Sequence, residues 1–173
     1  MTNYVYGWLN QNEQRFLLVT AANKLVFVGG PEDGLEVACR LLRVTKADKM
    51  VAGAVEHAIA AGVAALLDGT QRQLAPAYYQ VTGTVFEQRV YAALRAIPFG
   101  QTVTYSDLAV RVGQPSAVRA VAHAVACNPL LVVQPCHRVV PKNGGVGQYR
   151  GGVKMKKSLI GLESRLGQVN VYN

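Results

Sequence analysis

The chain has 173 residues and a formal net charge of +8, from 18 Lys and Arg against 10 Asp and Glu. Half of its residues are hydrophobic and 16% are charged, whereas an average soluble domain has about 25% charged residues, so the composition excludes a disordered chain. At about 100 to 200 residues per domain, the length excludes a large multidomain protein and allows one domain or two small ones.

The charge lies in the second half of the chain. Residues 1–85 contain seven basic and seven acidic residues, whereas residues 86–173 contain eleven basic residues and three acidic ones. A neutral first half and a basic second half predict that the second half binds a polyanion, and nucleic acid fits this pattern best. A basic surface that serves only solubility is the alternative.

Targeting signals are missing from the sequence. The amino terminus has neither the basic segment nor the apolar core of a signal peptide. The most apolar stretch, Met50 to Leu67, is interrupted by Glu56 and His57 and is too short for a membrane span. The three cysteines form no CxxC pair and no regular framework. These features predict a cytoplasmic protein with no membrane partner, whose thiols are either buried or reactive.

The first 80 residues are predicted to form a small α/β domain with an antiparallel sheet. Short runs rich in aromatic and β-branched residues suit a meander, and they span Tyr4 to Leu9, Arg15 to Ala21 and Lys24 to Gly29. Two helices are predicted next, at Pro31 to Leu42 and at Lys49 to Leu67. Gly69 to Tyr79 is predicted to be a linker, so the predicted domains are residues 1–80 and 81–173.

The second region is predicted to be mostly helical. Residues 84–97 place apolar side chains on one helical face, and Pro98 ends that helix. A short helix from about Ser106 to Val112 is followed by a break at residues 113–115 and by a second helix that begins near Ser116. Two short helices across a turn that contains glycine are typical of a helix-turn-helix.

The second helix of this pair has two different faces. One face is apolar and consists of Val118, Val121, Ala122 and Val125. The opposite face is formed by Ser116, Ala120, His123 and Cys127, with Arg119 at its flank. Small residues beside one arginine permit close approach to another surface, as a recognition helix requires. A helix packed on both sides within the core is the alternative.

A reactive thiol is predicted in the segment NPLLVVQPCHRVV, residues 128–140. Leu130 to Val133 is predicted to be a buried strand that Pro135 ends, which places Cys136 at the strand end. Neighbouring positive charge can lower the pKa of a thiol, so Cys136 is either a nucleophile or a buried structural thiol. Adjacent side chains in a strand face opposite ways, so His137 can assist Cys136 only if the backbone turns or a water bridges them.

Several motifs of the second region follow one another in a specific order. They are GTVF at 83–86, IPFGQTVTY at 97–105, AVRAV at 117–121, Asn128-Pro129, PCHRVV at 135–140 and YRGG at 149–152. From about Gly83 to Glu163, the chain resembles the O6-alkylguanine-DNA alkyltransferases, also called methylated-DNA–protein-cysteine methyltransferases. This resemblance implies an α+β fold, in which a variable amino-terminal domain precedes a mostly helical domain with a helix-turn-helix and the active-site cysteine.

The resemblance also implies the reaction. Proteins of this family repair DNA by transferring the alkyl group of O6-alkylguanine to a cysteine, here Cys136, in one irreversible turnover. O4-alkylthymine is a second candidate substrate. Neither a metal nor an organic cofactor is needed, because the protein itself accepts the group. The expected partner is duplex DNA with an extruded O6-alkylguanine, and the protein is expected to be a monomer without DNA.

The roles of the catalytic residues follow from the same resemblance. His137 and Glu163 match the hydrogen-bonded pair that helps to deprotonate the thiol through water, and Asn128 matches the residue that braces the turn. Tyr105 matches the tyrosine that donates a hydrogen bond to guanine N3 and contacts the rotated phosphate.

Contacts to the base and to DNA are also implied. Arg119 matches the arginine that fills the gap left by the extruded base, beside Ser116 and Ala120 on the DNA-facing surface. The loop that closes on the base matches Tyr149, the amide of Arg150, and Gly151. The carbonyls of Cys136 and Val139 would accept hydrogen bonds from the exocyclic amine, and Lys156 falls near the active site.

Two departures from the family pattern affect the pocket, and two other function classes remain. Gln134 stands at a commonly apolar position, and Arg150 stands where a small residue is usual, which leaves the tolerated alkyl size open. The first alternative is a non-catalytic helix-turn-helix module that binds lesions, but the family's non-catalytic members replace the acceptor cysteine that Cys136 retains. The second is a cysteine hydrolase, whose oxyanion site is not readable in the sequence.

Overall fold

The computed structural model describes residues 1–169 and has mixed α and β structure with small sheets. The chain divides into two compact units. The first unit consists of Met1–Thr82 and Pro129–Val133, and the second of Gly83–Asn128 and the residues from Gln134 onward. The boundary between residues 80 and 81 stays a prediction. Within the described part of the chain, no helix is long and apolar enough to cross a membrane.

A four-stranded sheet forms the centre of the first unit. Its strands are β1 (Asn3–Gln11), β2 (Gln14–Ala21), β3 (Lys24–Val28) and β4 (Lys49–Ala52). The order is β3-β2-β1-β4, and the first three strands form the expected antiparallel meander. Both two-residue turns, at 12–13 and 22–23, have positive φ angles, which is the geometry whose twist matches that of a tight hairpin.

Residues 49–67 are not one helix, so the sequence prediction is wrong there. Lys49–Ala52 forms β4, which pairs in parallel with β1 and places Met50 opposite Tyr4. The helix α2 runs only over His57–Asp68. Met50 packs against the core of the unit, because pairing with the open edge of β1 satisfies the backbone and buries this side chain.

The helix α1 is shorter than the sequence predicts, spanning Leu35–Leu41 instead of Pro31 to Leu42. The backbone amide of Gly30 donates a hydrogen bond of 2.6 Å to the carboxylate of Asp33, and this local turn holds residues 31–34 outside the helix. α1 contributes Ala38 to the core. The other fully buried members of this core come from the sheet, namely Leu17, Val19, Val26 and Phe27.

The apolar run from Leu130 to Val133 is buried but is not the predicted strand. Leu130 makes a single parallel bridge with Val28, and Val132 has a φ angle of 61°, far from that of a strand. The amide of Val133 donates to the carbonyl of Leu131 at 2.8 Å, so the chain turns tightly. Four apolar residues in a row do not distinguish a strand from another buried conformation.

The second unit is mostly helical. Its described elements are α3 (Val85–Arg95), β5 (Val103–Thr104), α4 (Tyr105–Arg111), α5 (Val118–Ala126), β6 (Val139–Val140) and α6 (Val153–Val169). Capping boxes fix the starts of α3 and α4, where Thr84 pairs with Glu87 and Thr104 with Asp107. Because Thr104 both ends β5 and caps α4, Tyr105 is held at the junction of strand and helix.

Candidate active site

Cys136 lies in a single 3-10 turn, Cys136–Arg138, that leads directly into β6. The amide of Arg138 donates to the carbonyl of Pro135 at 3.0 Å and closes the turn. The sequence predicted that the thiol lies at the end of a strand, and this prediction is wrong. The backbone turns at this point, which is one of the two conditions under which His137 could assist Cys136.

His137 and Glu163 form a buried hydrogen-bonded pair. The Nε2 atom of His137 lies 2.7 Å from Oε1 of Glu163, which projects from α6. Burial raises the pKa of Glu163, but the hydrogen bonds and charges of His137 and Arg138 outweigh it and bring that pKa down to about 2. Burial lowers the pKa of His137 by more than Glu163 raises it. The pair is therefore a neutral imidazole beside a carboxylate.

This charge state fixes the tautomer of His137. A carboxylate only accepts hydrogen bonds, so Nε2 must carry the imidazole proton and Nδ1 keeps a lone pair. Nδ1 is buried and has no hydrogen-bond partner within the described part of the chain. A neutral imidazole whose Nδ1 is unprotonated can accept a proton.

Arg138 is a site residue that the sequence reasoning missed. Its Nε donates to Oε2 of Glu163 at 2.9 Å and its Nη2 donates to Oε1 at 3.0 Å. Its Nη1 donates to the carbonyl of Ile97 at 2.7 Å. Glu163 also accepts a 3.1 Å hydrogen bond from the amide of Gly100. The available signal was the scarcity of acid after residue 85, since a buried arginine next to His137 needs a carboxylate partner.

The residue Cys136 is buried, with 4% of its surface exposed. Nδ2 of Asn128 donates to Sγ at 3.1 Å. Burial raises the pKa of Cys136, and the hydrogen bond from Asn128 and the charges of Arg150 and Lys156 lower it only in part. The resting thiol is therefore protonated at neutral pH, and a base is needed to form the thiolate.

Asn128 is itself held by Gln134, and each side chain is fully buried. Nδ2 of Asn128 donates to the backbone carbonyl of Gln134 at 2.9 Å, while Nε2 of Gln134 donates to Oδ1 of Asn128 at 2.9 Å. Nη1 of Arg95 donates to Oε1 of Gln134 at 2.9 Å. Arg95 was not among the predicted site residues, and no sequence signal connects positions 95 and 134.

A cavity of about 420 Å³ opens beside the thiol. Of the predicted site residues, it brings together Tyr105, Cys136, Tyr149 and Arg150. Val125 and two alanines of α5 form an apolar wall. Burial, with a smaller effect from Cys136, raises the pKa of Tyr105, so its hydroxyl stays a hydrogen-bond donor. This combination of size, apolar surface and few polar groups is typical of a small-molecule site.

The glycine-rich loop is tied to the site by two cations. Nζ of the fully buried Lys156 donates to the carbonyls of Val139 at 2.7 Å and Gln148 at 3.3 Å. Nη2 of Arg150 donates to the carbonyl of Asn128 at 2.9 Å. The Val139 carbonyl keeps a second lone pair, so the contact with Lys156 leaves it able to accept from a base.

Gly151 needs to be glycine for packing reasons. A Cβ atom at this position would lie 2.5 Å from the sulfur of Met155 and 2.7 Å from the ring of Tyr149. Real Cβ atoms do not approach other heavy atoms so closely, so a side chain at position 151 would require Met155 and the ring of Tyr149 to shift.

The outward face of α5 lies outside this cavity lining. The helix begins at Val118 and not near Ser116 as predicted, so Ser116 precedes α5. Ser116, Arg119, Ala120 and His123 are exposed, whereas Val121, Ala124 and Val125 are buried. The alternative of a helix packed on both sides is therefore wrong. Cys127 is half-buried, and its sulfur lies 3.6 Å from Nε2 of His123. Among the described residues, no group of three or more His, Cys, Asp or Glu side chains could hold a metal ion.

Sequence relatives point to one family. The family model of the 6-O-methylguanine DNA methyltransferase DNA binding domain matches residues 85–165. The inducible methylated-DNA–protein-cysteine methyltransferase of Bacillus subtilis is 38% identical over 159 residues, which cover 87% of this chain and 84% of the relative. The bifunctional transcriptional activator/DNA repair enzyme Ada of Escherichia coli is 50% identical over 84 residues, but these span 49% of this chain and only 24% of that relative.

Solved structures extend the likeness to the first unit. Mycobacterium tuberculosis OGT in complex with DNA has a TM-score of 0.75 and 27% identity, with 94% of this chain and 93% of that chain covered. The O6-methylguanine-DNA methyltransferase of Pyrococcus kodakaraensis has a TM-score of 0.69 at 22% identity, over 92% of this chain and 98% of that one. At that identity the second likeness concerns the fold alone.

Proposed function

Because the chain belongs to the family of methylated-DNA–protein-cysteine methyltransferases, we propose that it repairs DNA by taking the alkyl group of O6-alkylguanine irreversibly onto Cys136. O4-alkylthymine is the second candidate substrate. The observation that carries this proposal is the buried thiol in the wall of a cavity that is large enough for a base, next in the chain to a neutral His137 held by a carboxylate.

In the proposed reaction, the proton of the Cys136 thiol moves through a water to Nδ1 of His137. The thiolate then attacks the O6-alkyl carbon in line, so that the sulfur–carbon bond forms while the carbon–O6 bond breaks. The bonding electron pair stays with guanine, whose N3 receives a hydrogen bond from the Tyr105 hydroxyl. Each protein molecule reacts once, because the alkyl group stays bound to Cys136 as a thioether.

Thiolate formation alone does not account for the rate. An ordinary thiol with a pKa near 8.5 is about 3% ionised at pH 7, so complete ionisation of such a thiol gains about 30-fold. Burial raises the pKa of Cys136 and makes its resting thiolate fraction smaller still, which is the deficit that His137 makes up. The remainder comes from holding sulfur, carbon and O6 in line and from donors that stabilise charge on the leaving guanine. Tyr105 and the loop that contains Tyr149 and Arg150 supply these donors in the proposed complex.

We propose duplex DNA as the partner, bound by α4 and α5 as a helix-turn-helix. In support, α5 presents Arg119 beside the small exposed residues Ser116 and Ala120, and the whole net charge lies after residue 85. Extruding a base costs a few kcal/mol, and Arg119 offsets part of this cost by filling the gap. The residues at 81–173 are proposed as the DNA-binding domain.

The expected site of action is the cytoplasm. Alkyl transfer needs Cys136 as a free thiol, and a reducing compartment maintains it. The protein is proposed to be a monomer until it binds DNA.

Incubation with a duplex that carries radiolabelled O6-methylguanine tests the function. We expect one label per protein, located on Cys136 by peptide mass mapping, with no turnover. Lesion binding without transfer would instead indicate a non-catalytic helix-turn-helix module. Many labels released per protein would indicate a cysteine hydrolase.

A further inference from the structure

Two side chains without an assigned role lead from the surface of the second unit to the sulfur of Cys136. Arg95, the last residue of α3, is half-buried and donates from Nη1 to Oε1 of Gln134 at 2.9 Å. Gln134 donates from Nε2 to Oδ1 of Asn128 at 2.9 Å, and Asn128 donates from Nδ2 to Sγ at 3.1 Å. These contacts form one continuous chain of hydrogen bonds that ends on the reacting atom.

The direction of this chain is set at Arg95. A guanidinium only donates hydrogen bonds, so the side-chain oxygen of Gln134 must face Arg95 and the NH₂ group must face Asn128. That NH₂ group also only donates, so it must meet the oxygen of Asn128. The Asn128 NH₂ group is thereby turned toward Cys136. Nδ2 of Asn128 also donates to the backbone carbonyl of Gln134 at 2.9 Å, which favours the same orientation. The two orientations of a carboxamide are nearly equivalent in shape, so the side chains of Gln134 and Arg95 add a second polar constraint to this one.

The orientation of Asn128 matters to the thiol. With NH₂ toward Sγ, Asn128 offers a donor to the negative charge that forms on sulfur. With the oxygen toward Sγ, it would offer an acceptor and oppose that charge. Burial raises the pKa of Cys136, and the hydrogen bond from Asn128 is the largest of the effects that lower it.

We propose that Arg95 and Gln134 are positioning residues whose side chains, together with the backbone carbonyl of Gln134, hold the Asn128 carboxamide with its NH₂ group toward Cys136, so that the thiolate forms with a ready donor. This inference rests on the proposed function, in which the Cys136 thiolate is the nucleophile. As in the proposed reaction, the thiol proton leaves through water to Nδ1 of His137. The chain of hydrogen bonds from Arg95 through Gln134 and Asn128 to Cys136, here called the relay, transfers no proton.

The test measures the rate at which iodoacetamide alkylates Cys136, quantified by peptide mass mapping from pH 6 upward in the full chain. Gln134→Met keeps the length and burial of the side chain but removes both polar contacts. We expect alkylation slower by up to about tenfold at pH 7, since a hydrogen bond to a charged group changes a pKa by about one unit and the backbone carbonyl at position 134 still holds Asn128 in part. The deficit should narrow as the pH rises toward the thiol pKa. A deficit that is equal at every pH would indicate a packing defect and overturn the proposal.

Substitutions at Arg95, at the outer end of the hydrogen-bond chain, give a second test with the same alkylation rate. Arg95→Met removes the donor that sets the direction, and should slow alkylation in the same pH-dependent way. Arg95→Lys retains a group that only donates and should restore most of the rate. Arg89→Met is the matched control, because Arg89 lies on the same helix but donates to the carbonyl of Val112 at 2.6 Å, and it should leave the rate unchanged. Equal losses for the Lys and Met variants at position 95 would overturn the relay.

Failure of this inference and failure of the proposed function are distinguishable. Iodoacetamide needs no DNA, so the pH profile reports the thiol whether or not the protein repairs a lesion. If the native chain accepts the labelled methyl group but Gln134→Met has the native alkylation profile, the repair function is supported and the relay is wrong. If Gln134→Met shifts the pH profile of alkylation but the native chain accepts no label from DNA, the relay is supported and the repair function is wrong.

Discussion

Cys136 carries the sharpest residue-scale prediction. Cys136→Ser should abolish alkyl transfer, because a serine hydroxyl at this site is far less ionised than a thiol. DNA binding should survive, because Cys136 is not part of the exposed α5 face that carries Arg119. Transfer of label to protein and gel-shift affinity for duplex DNA measure the two effects. Cys39→Ser is the control and should retain transfer. Label found on Cys39 or Cys127 in the native chain would contradict the assignment.

The Glu163 carboxylate predicts a dependence of stability on pH. Its pKa falls from 4.5 to about 2 in the folded protein, which corresponds to about 3 kcal/mol in the free energy of unfolding. Because the folded pKa is the lower one, this stabilisation is complete above about pH 5 and is lost as the pH falls toward 2. Glu163→Gln should therefore be about 3 kcal/mol less stable than the native chain at pH 6, and this difference should shrink at pH 3.

Urea unfolding at the two pH values measures this difference. Glu36→Gln, which alters an exposed carboxylate of the first unit, is the control and should leave the free energy of unfolding nearly unchanged at both. If the Glu163→Gln deficit stayed constant from pH 6 to pH 3, the carboxylate would not be the group that titrates.

Sequence reasoning predicted the site residues that family motifs carry, and the structure brings four of them to one cavity. Cys136, Tyr105, Tyr149 and Arg150 were predicted and line one cavity. Arg138 and Arg95 were missed because their roles depend on pairs distant in the chain, to Glu163 and Gln134, which no local pattern encodes. A buried charge is interpretable only once its partner is known.

At the scale of elements, helices with strong caps were predicted well. The structure has capping boxes at Thr84 and Thr104, and α3 and α4 begin within one residue of the predicted starts at about residues 84 and 106. Two of the errors fall on short apolar segments, at Lys49–Ala52 and Leu130–Val133, whose conformation depends on a neighbouring strand edge. Tertiary pairing decides such segments, so their sequences favour no single conformation.

The helix α5 carries the element-scale prediction. If Arg119 fills the gap left by an extruded guanine, Arg119→Ala should slow transfer from duplex DNA by at least tenfold, because the flipped state loses the group that offsets unstacking. Reaction with free O6-benzylguanine needs no extrusion and should change little, provided that the cavity accepts this base. Arg119→Lys should restore binding but only part of the duplex rate, since an ammonium lacks the planar guanidinium that stacks in the gap.

Rates on the two substrates, measured side by side, test the role of Arg119. Arg111→Ala on α4 removes the same charge from an exposed neighbouring helix and should affect duplex transfer much less. Equal losses on duplex and free base for Arg119→Ala would show that this residue supports the fold or the pocket instead of extrusion.

At the scale of the whole molecule, the asymmetry of charge predicts which part of the chain binds DNA. All of the net charge of +8 lies after residue 85, so the affinity for undamaged duplex should fall linearly in a plot of log affinity against log salt. Each phosphate contact that is removed reduces the steepness of this slope by about 0.9. Replacing both Lys142 and Lys154, two exposed cations of the second unit, with Gln should therefore flatten the plot by nearly two units if each contacts a phosphate. Replacing Lys24 and Lys46, two exposed cations of the first unit, removes the same charge and should leave the slope unchanged. Fluorescence anisotropy from 50 to about 300 mM salt gives both slopes, and equal flattening by the two pairs would mean that DNA senses only the total charge.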